Sequence, residues 1–173
     1  FDLDESIVLT TSDTIKIWHA TTGVCLDTLS GHTAHLLSGF VSADVTAALT
    51  TSPEGTCRIW NVATGAYVSR LSRHTAHLQR CNDATFSPDG RLVLTASDDS
   101  TIKMWSPTAG HILMTFYGHE NHVATVVFNS NGKFAPTASD DATAKTWSIT
   151  KKLWRTAKGI CLRTFTGHSD VVN

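Results

Sequence analysis

Charge of one sign is nearly absent in excess: 14 Lys and Arg face 15 Asp and Glu across 173 residues, a net charge of −1. So close a balance exerts no global pull toward nucleic acid or an anionic membrane, and any such binding has to be local. Cysteine is scarce. Cys25, Cys57, Cys81 and Cys161 never form a C-x-x-C pair, which argues against a zinc ribbon or a dithiol redox motif. They read as reduced packing residues of an intracellular protein. No apolar run approaches the length of a membrane span, and Phe1-Asp2-Leu3-Asp4-Glu5 lacks the basic start of a signal peptide. Phosphate-binding glycine loops, dinucleotide fingerprints and isolated carboxylate pairs are also missing, so no cofactor and no catalytic residue is expected.

What the chain does have is a repeat. Trp18, Trp60, Trp105 and Trp147 follow one another at steps of 42, 45 and 42 residues. After each comes a glycine and, nine residues later, a histidine: Gly23 and His32, Gly65 and His74, Gly110 and His119, Gly159 and His168. Within a period, short runs of β-branched and aromatic residues alternate with turn residues. "TFSPDGRLVLTASDDSTIKMW" reads as strand, turn, strand, turn, strand, and "HILMTF" supplies a fourth strand after "SPTAG". Four short strands in 40 to 45 residues are the sequence signature of a propeller blade. The apolar fraction of 41% suits a chain that buries a core.

Gly31-His32, Gly118-His119 and Gly167-His168, the "SPDG" at 87–90, "SDDSTIKMW" and "SDDATAKTW" resemble the WD-repeat β-propeller family over essentially the whole chain. Two departures stand out. The Asp that usually follows each Trp is replaced by His19, Asn61, Ser106 and Ser148, and Arg73 replaces the glycine before His74. The resemblance implies an all-β fold of blades with four antiparallel strands. Complete blades are expected at 31–72, 73–117 and 118–166, with a partial blade at 1–30 and the start of another at 167–173. Two arrangements fit: part of a larger propeller of about seven blades, which is the favoured one, or a four-bladed ring. In the ring, His168 would join Thr10 or Thr11, Asp13 and Trp18. Ends left open would expose strand edges and apolar faces, an aggregation hazard.

His, Ser and Asp are also the residue types of a hydrolytic triad, but a triad is needed once and these sets recur. The resemblance implies structural tetrads instead: His32, Ser52, Glu54 with Trp60; His74, Ser97, Asp99 with Trp105; His119, Ser139, Asp141 with Trp147. Such a chain satisfies its own polar groups, because indole only donates, carboxylate only accepts, and imidazole and hydroxyl do both. In the fourth blade Pro136 interrupts an interior strand and Ala144 and Thr146 replace Ile102 and Met104, so this blade is expected to be the loosest of the complete ones.

The second histidines, His35, His77 and His122, are expected in loops at one rim. They read as variable loop positions in preference to metal ligands, because they lie on different blades. Seven extra residues, 151–157, distinguish the fourth blade; Lys151, Lys152 and Arg155 there surround Trp154. This basic loop reads as a solvated face or as a contact for an acidic partner or single-stranded nucleic acid. The expected function is a non-enzymatic, intracellular protein-interaction scaffold, cytoplasmic or nuclear, in a multiprotein complex. Asp98, Asp140, the loop histidines, Lys151, Lys152, Trp154 and Arg155 are its candidate contacts. Other proteins are the expected partners, with no membrane and no small-molecule substrate. Two alternatives remain: a ribonucleoprotein subunit binding nucleic acid through the basic loop, and a regulatory propeller attached to a kinase or ubiquitin-ligase component.

Overall fold

The computed structural model describes residues 7–12, 14–71, 80–149 and 158–172. Fifteen strands form four antiparallel sheets, and the described residues contain no helix. The first sheet has three strands, β1 (Ile7–Thr11), β2 (Ile15–His19) and β3 (Cys25–Leu29). The second runs β4 (Ser38–Val41), β5 (Ala47–Ser52), β6 (Thr56–Asn61), β7 (Tyr67–Leu71). The third runs β8 (Cys81–Phe86), β9 (Val93–Ser97), β10 (Ile102–Trp105), β11 (Ile112–Phe116). The fourth is β12 (Val123–Val126), β13 (Phe134–Ser139), β14 (Ala144–Ser148), β15 (Ile160–Phe165). Strand order follows chain order in every sheet, which is what short turn connections allow.

Each sheet carries the same irregularity. The pairing register shifts beside the tryptophan in all four, between Ile17 and Trp18, Ile59 and Trp60, Met104 and Trp105, and Thr146 and Trp147. A bulge there bends the strand and re-aims the indole. Turns repeat as well: Gly90 N donates to Ser87 O at 2.8 Å and Gly132 N to Asn129 O at 2.9 Å, both with positive φ near 68°. Val45 occupies the same position in the second sheet at φ 59°, where a β-branched residue is strained.

The core lies in three seams between successive sheets. Ile7, Ile15, Ile17, Leu29 and Leu36 pack with Ala48 and Trp60 in the first. Leu49, Cys57, Ile59 and Leu71 meet Cys81, Ala84 and Trp105 in the second. The third seam joins Leu94, Ile102, Met104 and Phe116 to Val123, Ala135 and Trp147. Every described seam therefore seats the tryptophan of the later sheet on apolar side chains of the earlier one.

One reading of the sequence is corrected here. Cys57 and Cys81 are not reduced but joined by a disulfide, with Cα atoms 6.7 Å apart and a sequence separation of 24. Cys25 and Cys161 are free and exposed. The cross-seam pair is invisible to spacing rules because proximity is created by sheet packing, not by neighbourhood along the chain.

Candidate functional site

Beneath the surface, the polar sets assemble with a different hydroxyl from the one the sequence suggests. His32 Nδ1 lies 2.7 Å from Glu54 Oε1, His32 Nε2 is 2.9 Å from Thr50 Oγ1, and Trp60 Nε1 donates to Thr50 Oγ1 at 2.9 Å. The fourth sheet repeats this with His119 Nδ1 to Asp141 Oδ2 at 2.7 Å, His119 Nε2 to Thr137 Oγ1 at 2.8 Å and Trp147 Nε1 to Thr137 Oγ1 at 2.9 Å. In the third sheet Trp105 Nε1 donates to Thr95 Oγ1 at 2.8 Å, while Asp99 accepts from Thr101; His74 lies outside the described residues. Trp18 Nε1 donates to Thr10 Oγ1 at 2.8 Å, which selects Thr10 over Thr11; Asp13 is outside the described residues.

Ser52, Ser97 and Ser139 are thus corrected: they are not the hydroxyls of these chains. Trp60 pairs across the ladder with Ala48, so the next residue on its face is Thr50, and Ser52 lies one further pleat away. The serines do a separate job. Their Oγ atoms donate to the carbonyls of His35 at 3.0 Å, Arg80 at 2.7 Å and His122 at 2.8 Å, clipping each incoming loop to its sheet.

Electrostatics fix the protonation states. Burial pushes the His119 imidazole below its ordinary value, and the hydrogen bond and charge of Asp141 offset only part of that. His32 behaves alike beside Glu54. For the carboxylates burial acts the other way, but hydrogen bonds from Thr33, Thr56 and His32 hold Glu54 down to about 2. Asp141, bound by Thr143, Glu120 N and His119, is also held well below the usual carboxylate range. A neutral imidazole then donates from Nδ1 to the carboxylate and accepts at Nε2 from threonine, which itself accepts from indole. The hydroxyl in each of these hydrogen-bonded sets, Thr50 or Thr137, is buried beside the indole from which it accepts.

The accessible chemistry lies where the clipped loops meet the turns. Asp98 N donates to Arg80 O at 3.1 Å and Asp140 N to His122 O at 2.9 Å, so loop and turn stand side by side in both sheets. His122, its side chain 50% exposed, bridges the third and fourth sheets, with Nδ1 3.5 Å from Asp98 Oδ1 and 3.7 Å from Asp140 Oδ2. Asn82 Nδ2 donates to Asp98 Oδ1 at 2.7 Å and to Val123 O at 3.0 Å, and Asp83 Oδ2 accepts from Val126 N at 3.0 Å. Burial raises the Asp83 carboxyl above its ordinary value. Sequence reasoning singled out neither Asn82 nor Asp83.

The position held by His35 and His122 is held in the third sheet by Arg80, because its carbonyl is the one that takes the serine Oγ. The signal was present: His74 to Ser97 spans 23 residues where His32 to Ser52 and His119 to Ser139 span 20. His77, Lys151, Lys152, Trp154 and Arg155 lie outside the described residues. Among the described residues no three His, Cys, Asp or Glu side chains converge as metal ligands. His168 is exposed, β1 pairs only with β2 among the described residues, and Val172 N donates to Ser139 O at 3.1 Å, so the described terminal segment lies against the fourth sheet.

Four-stranded sheets in chain order, each seating a bulge-aimed tryptophan on its predecessor, define blades of a β-propeller. The WD domain, G-beta repeat family matches residues 23–61, 67–106 and 110–148, and the chain belongs to that family. Among its relatives, Protein Notchless of Drosophila melanogaster is 33% identical over 86 residues, 50% of this chain and 16% of that protein. Nuclear distribution protein PAC1 of Arthroderma benhamiae is 28% identical over 171 residues, 90% of this chain and 27% of that protein. Periodic tryptophan protein 2 homolog of Dictyostelium discoideum is 36% identical over 47 residues, 27% of this chain and 5% of that protein. The chain therefore spans about a quarter or less of these relatives.

Proposed function

We propose that the chain is a non-enzymatic scaffold segment of an intracellular multiprotein complex, and that it holds protein partners on the rim formed by Asp98, His122 and Asp140. In this reading the blades run 31–72, 73–117 and 118–166 within a larger propeller of about seven. The observation that carries it is the division of labour among polar groups. The His32 and His119 chains are closed and buried, whereas His122 and its two carboxylates face solvent across a seam. Rigid strands hold the rim loops through the serine clips, so a partner meets a surface already in place. Two carboxylates beside one imidazole suit a partner bearing Lys or Arg.

The test is an affinity capture from the source cell with the unsubstituted chain and with Asp98→Ala/Asp140→Ala, quantified by mass spectrometry. The reading expects a fixed set of proteins to be lost with the double variant while the chain still melts cooperatively, since both residues are partly exposed rim positions and Asn82 Nδ2 keeps its bond to Val123 O. An identical set at equal abundance would remove the rim from the account.

A further inference from the structure

The repeat provides its own control for the disulfide. The serine clips align His35, Arg80 and His122, so the residues that follow them, Leu36, Cys81 and Val123, are equivalent. Counting three residues back from each tryptophan aligns Ile15, Cys57 and Ile102. In the first seam Ile15 and Leu36 share one core cluster, and in the third Ile102 and Val123 do the same. The middle seam alone among the three replaces both sides of this contact, and both replacements are cysteine. A single cysteine there would be a small apolar filler; two facing each other make a covalent bond across the seam.

We propose that Cys57 and Cys81 form a redox latch on the seam between the second and third blades, closed by oxidised low-molecular-weight thiols and opened by reduced ones. Closure runs in two exchanges. One thiolate attacks the small disulfide and expels a thiol, leaving a mixed disulfide on the protein; the second thiolate attacks that protein sulfur and expels the second thiol. The cysteines together lose two electrons and two protons, and the small disulfide gains them as two thiols. Both cysteines are 0% exposed behind Leu49, Ile59, Leu71 and Trp105, so either exchange waits for the seam to open. In the reduced state the two thiols still fill the contact as apolar groups, and the fold persists. What changes is how readily these blades part. Cys81 directly follows Arg80, whose carbonyl holds Asp98 N, so the latch sits one residue from the rim.

The test incubates the chain over a series of reduced-to-oxidised glutathione ratios, quenches with acid, alkylates under denaturing conditions and maps the peptides. The linked Cys57–Cys81 peptide should rise as the ratio falls, while the exposed Cys25 and Cys161 appear alkylated or joined to glutathione and never to another cysteine of the chain. The oxidised chain should melt about 6 to 12 °C above the reduced one, from the effect of closing a loop of this length in the unfolded state. Cys57→Ile with Cys81→Val, the apolar pair of the third seam, should melt at one temperature whatever the ratio. Absence of the linked peptide at every ratio, pairing of either residue with Cys25 or Cys161, or a melting temperature of the unsubstituted chain that ignores the ratio would each overturn the latch. The peptide map of the unsubstituted chain decides the matter even if the variant does not fold.

Discussion

The third and fourth blades are built from the same repeat, yet one is sealed and the other is not. In the third, β9 and β10 are buried along their whole length and β11 over its last three residues. In the fourth, β13 alternates between buried and exposed, β14 is buried only at Trp147 and Ser148, and all six residues of β15 are exposed. Position in the stack makes the difference: the third blade has a neighbour on each face, and the fourth has a described neighbour on one. Phe134 at 39% and Leu162 at 52% exposure show what the second face costs when nothing described covers it. A blade is therefore half of two seams, and its stability belongs to the seams.

The largest break in that comparison should come from equivalent positions on the two uncovered and covered faces. Met104 is 0% exposed and its counterpart Thr146 is partly exposed. Met104→Ala should cost about 2 to 5 kcal/mol, the usual loss for emptying a packed core site, whereas Thr146→Ala should change stability by roughly 0.5 kcal/mol or less. Urea midpoints measure both. Amide exchange should follow the same order, slower in β10 and β11 than in β14 and β15. Equal losses, or slower exchange in the fourth blade, would mean that sealing does not set local stability here.

A smaller effect should make the two blades look alike, because their tryptophan faces are both sealed. Thr95→Val and Thr137→Val each remove the hydroxyl that accepts from the indole, and Thr137 also serves His119 Nε2. Each orphaned buried group costs about 1 to 3 kcal/mol. Ser139→Ala should cost less, near 1 kcal/mol, since His122 O keeps its bond from Asp140 N. Chemical denaturation of the variants settles the ranking, and a serine loss exceeding the threonine loss would restore the serine to the chain.

Those two residues show where the sequence was legible. Tryptophans at steady steps and histidines at fixed intervals disclose the period, and the period alone implies strands, blades and stacked seams. Thr137 against Ser139 is a different kind of question. Both face the same way on one strand, and only the pairing of Ala135 with Trp147 decides which hydroxyl the indole meets. Composition carries no information on ladder register. Arg80 was hidden by an insertion of three residues whose place the sequence does not mark. Cys57 and Cys81 met only through the packing of two sheets, the level at which periodicity within one sheet falls silent.

The finest probe of the comparison is acid, which reports on the sealed face of the fourth blade while its other face stays open. His119 and His32 have imidazole values below 6.5 in the folded protein, so between that lowered value and 6.5 the unfolded chain binds more protons than the native one. Their contribution is complete above pH 6.5 and is lost as pH falls below it, at up to about 1.4 kcal/mol per pH unit for each histidine. Glu54 and Asp141, depressed from 4.5 and 3.8, hold their contribution above those values and lose it as pH falls further. Thermal midpoints should therefore be level from pH 8 to 6.5, decline below 6.5 and steepen below about 4.5. Asp141→Asn should remove the fourth blade's share of the steeper limb and leave that of Glu54. A midpoint that holds level down to pH 5 would mean that water reaches both imidazoles, and that the tryptophan face of the fourth blade is no better sealed than the face bearing Leu162.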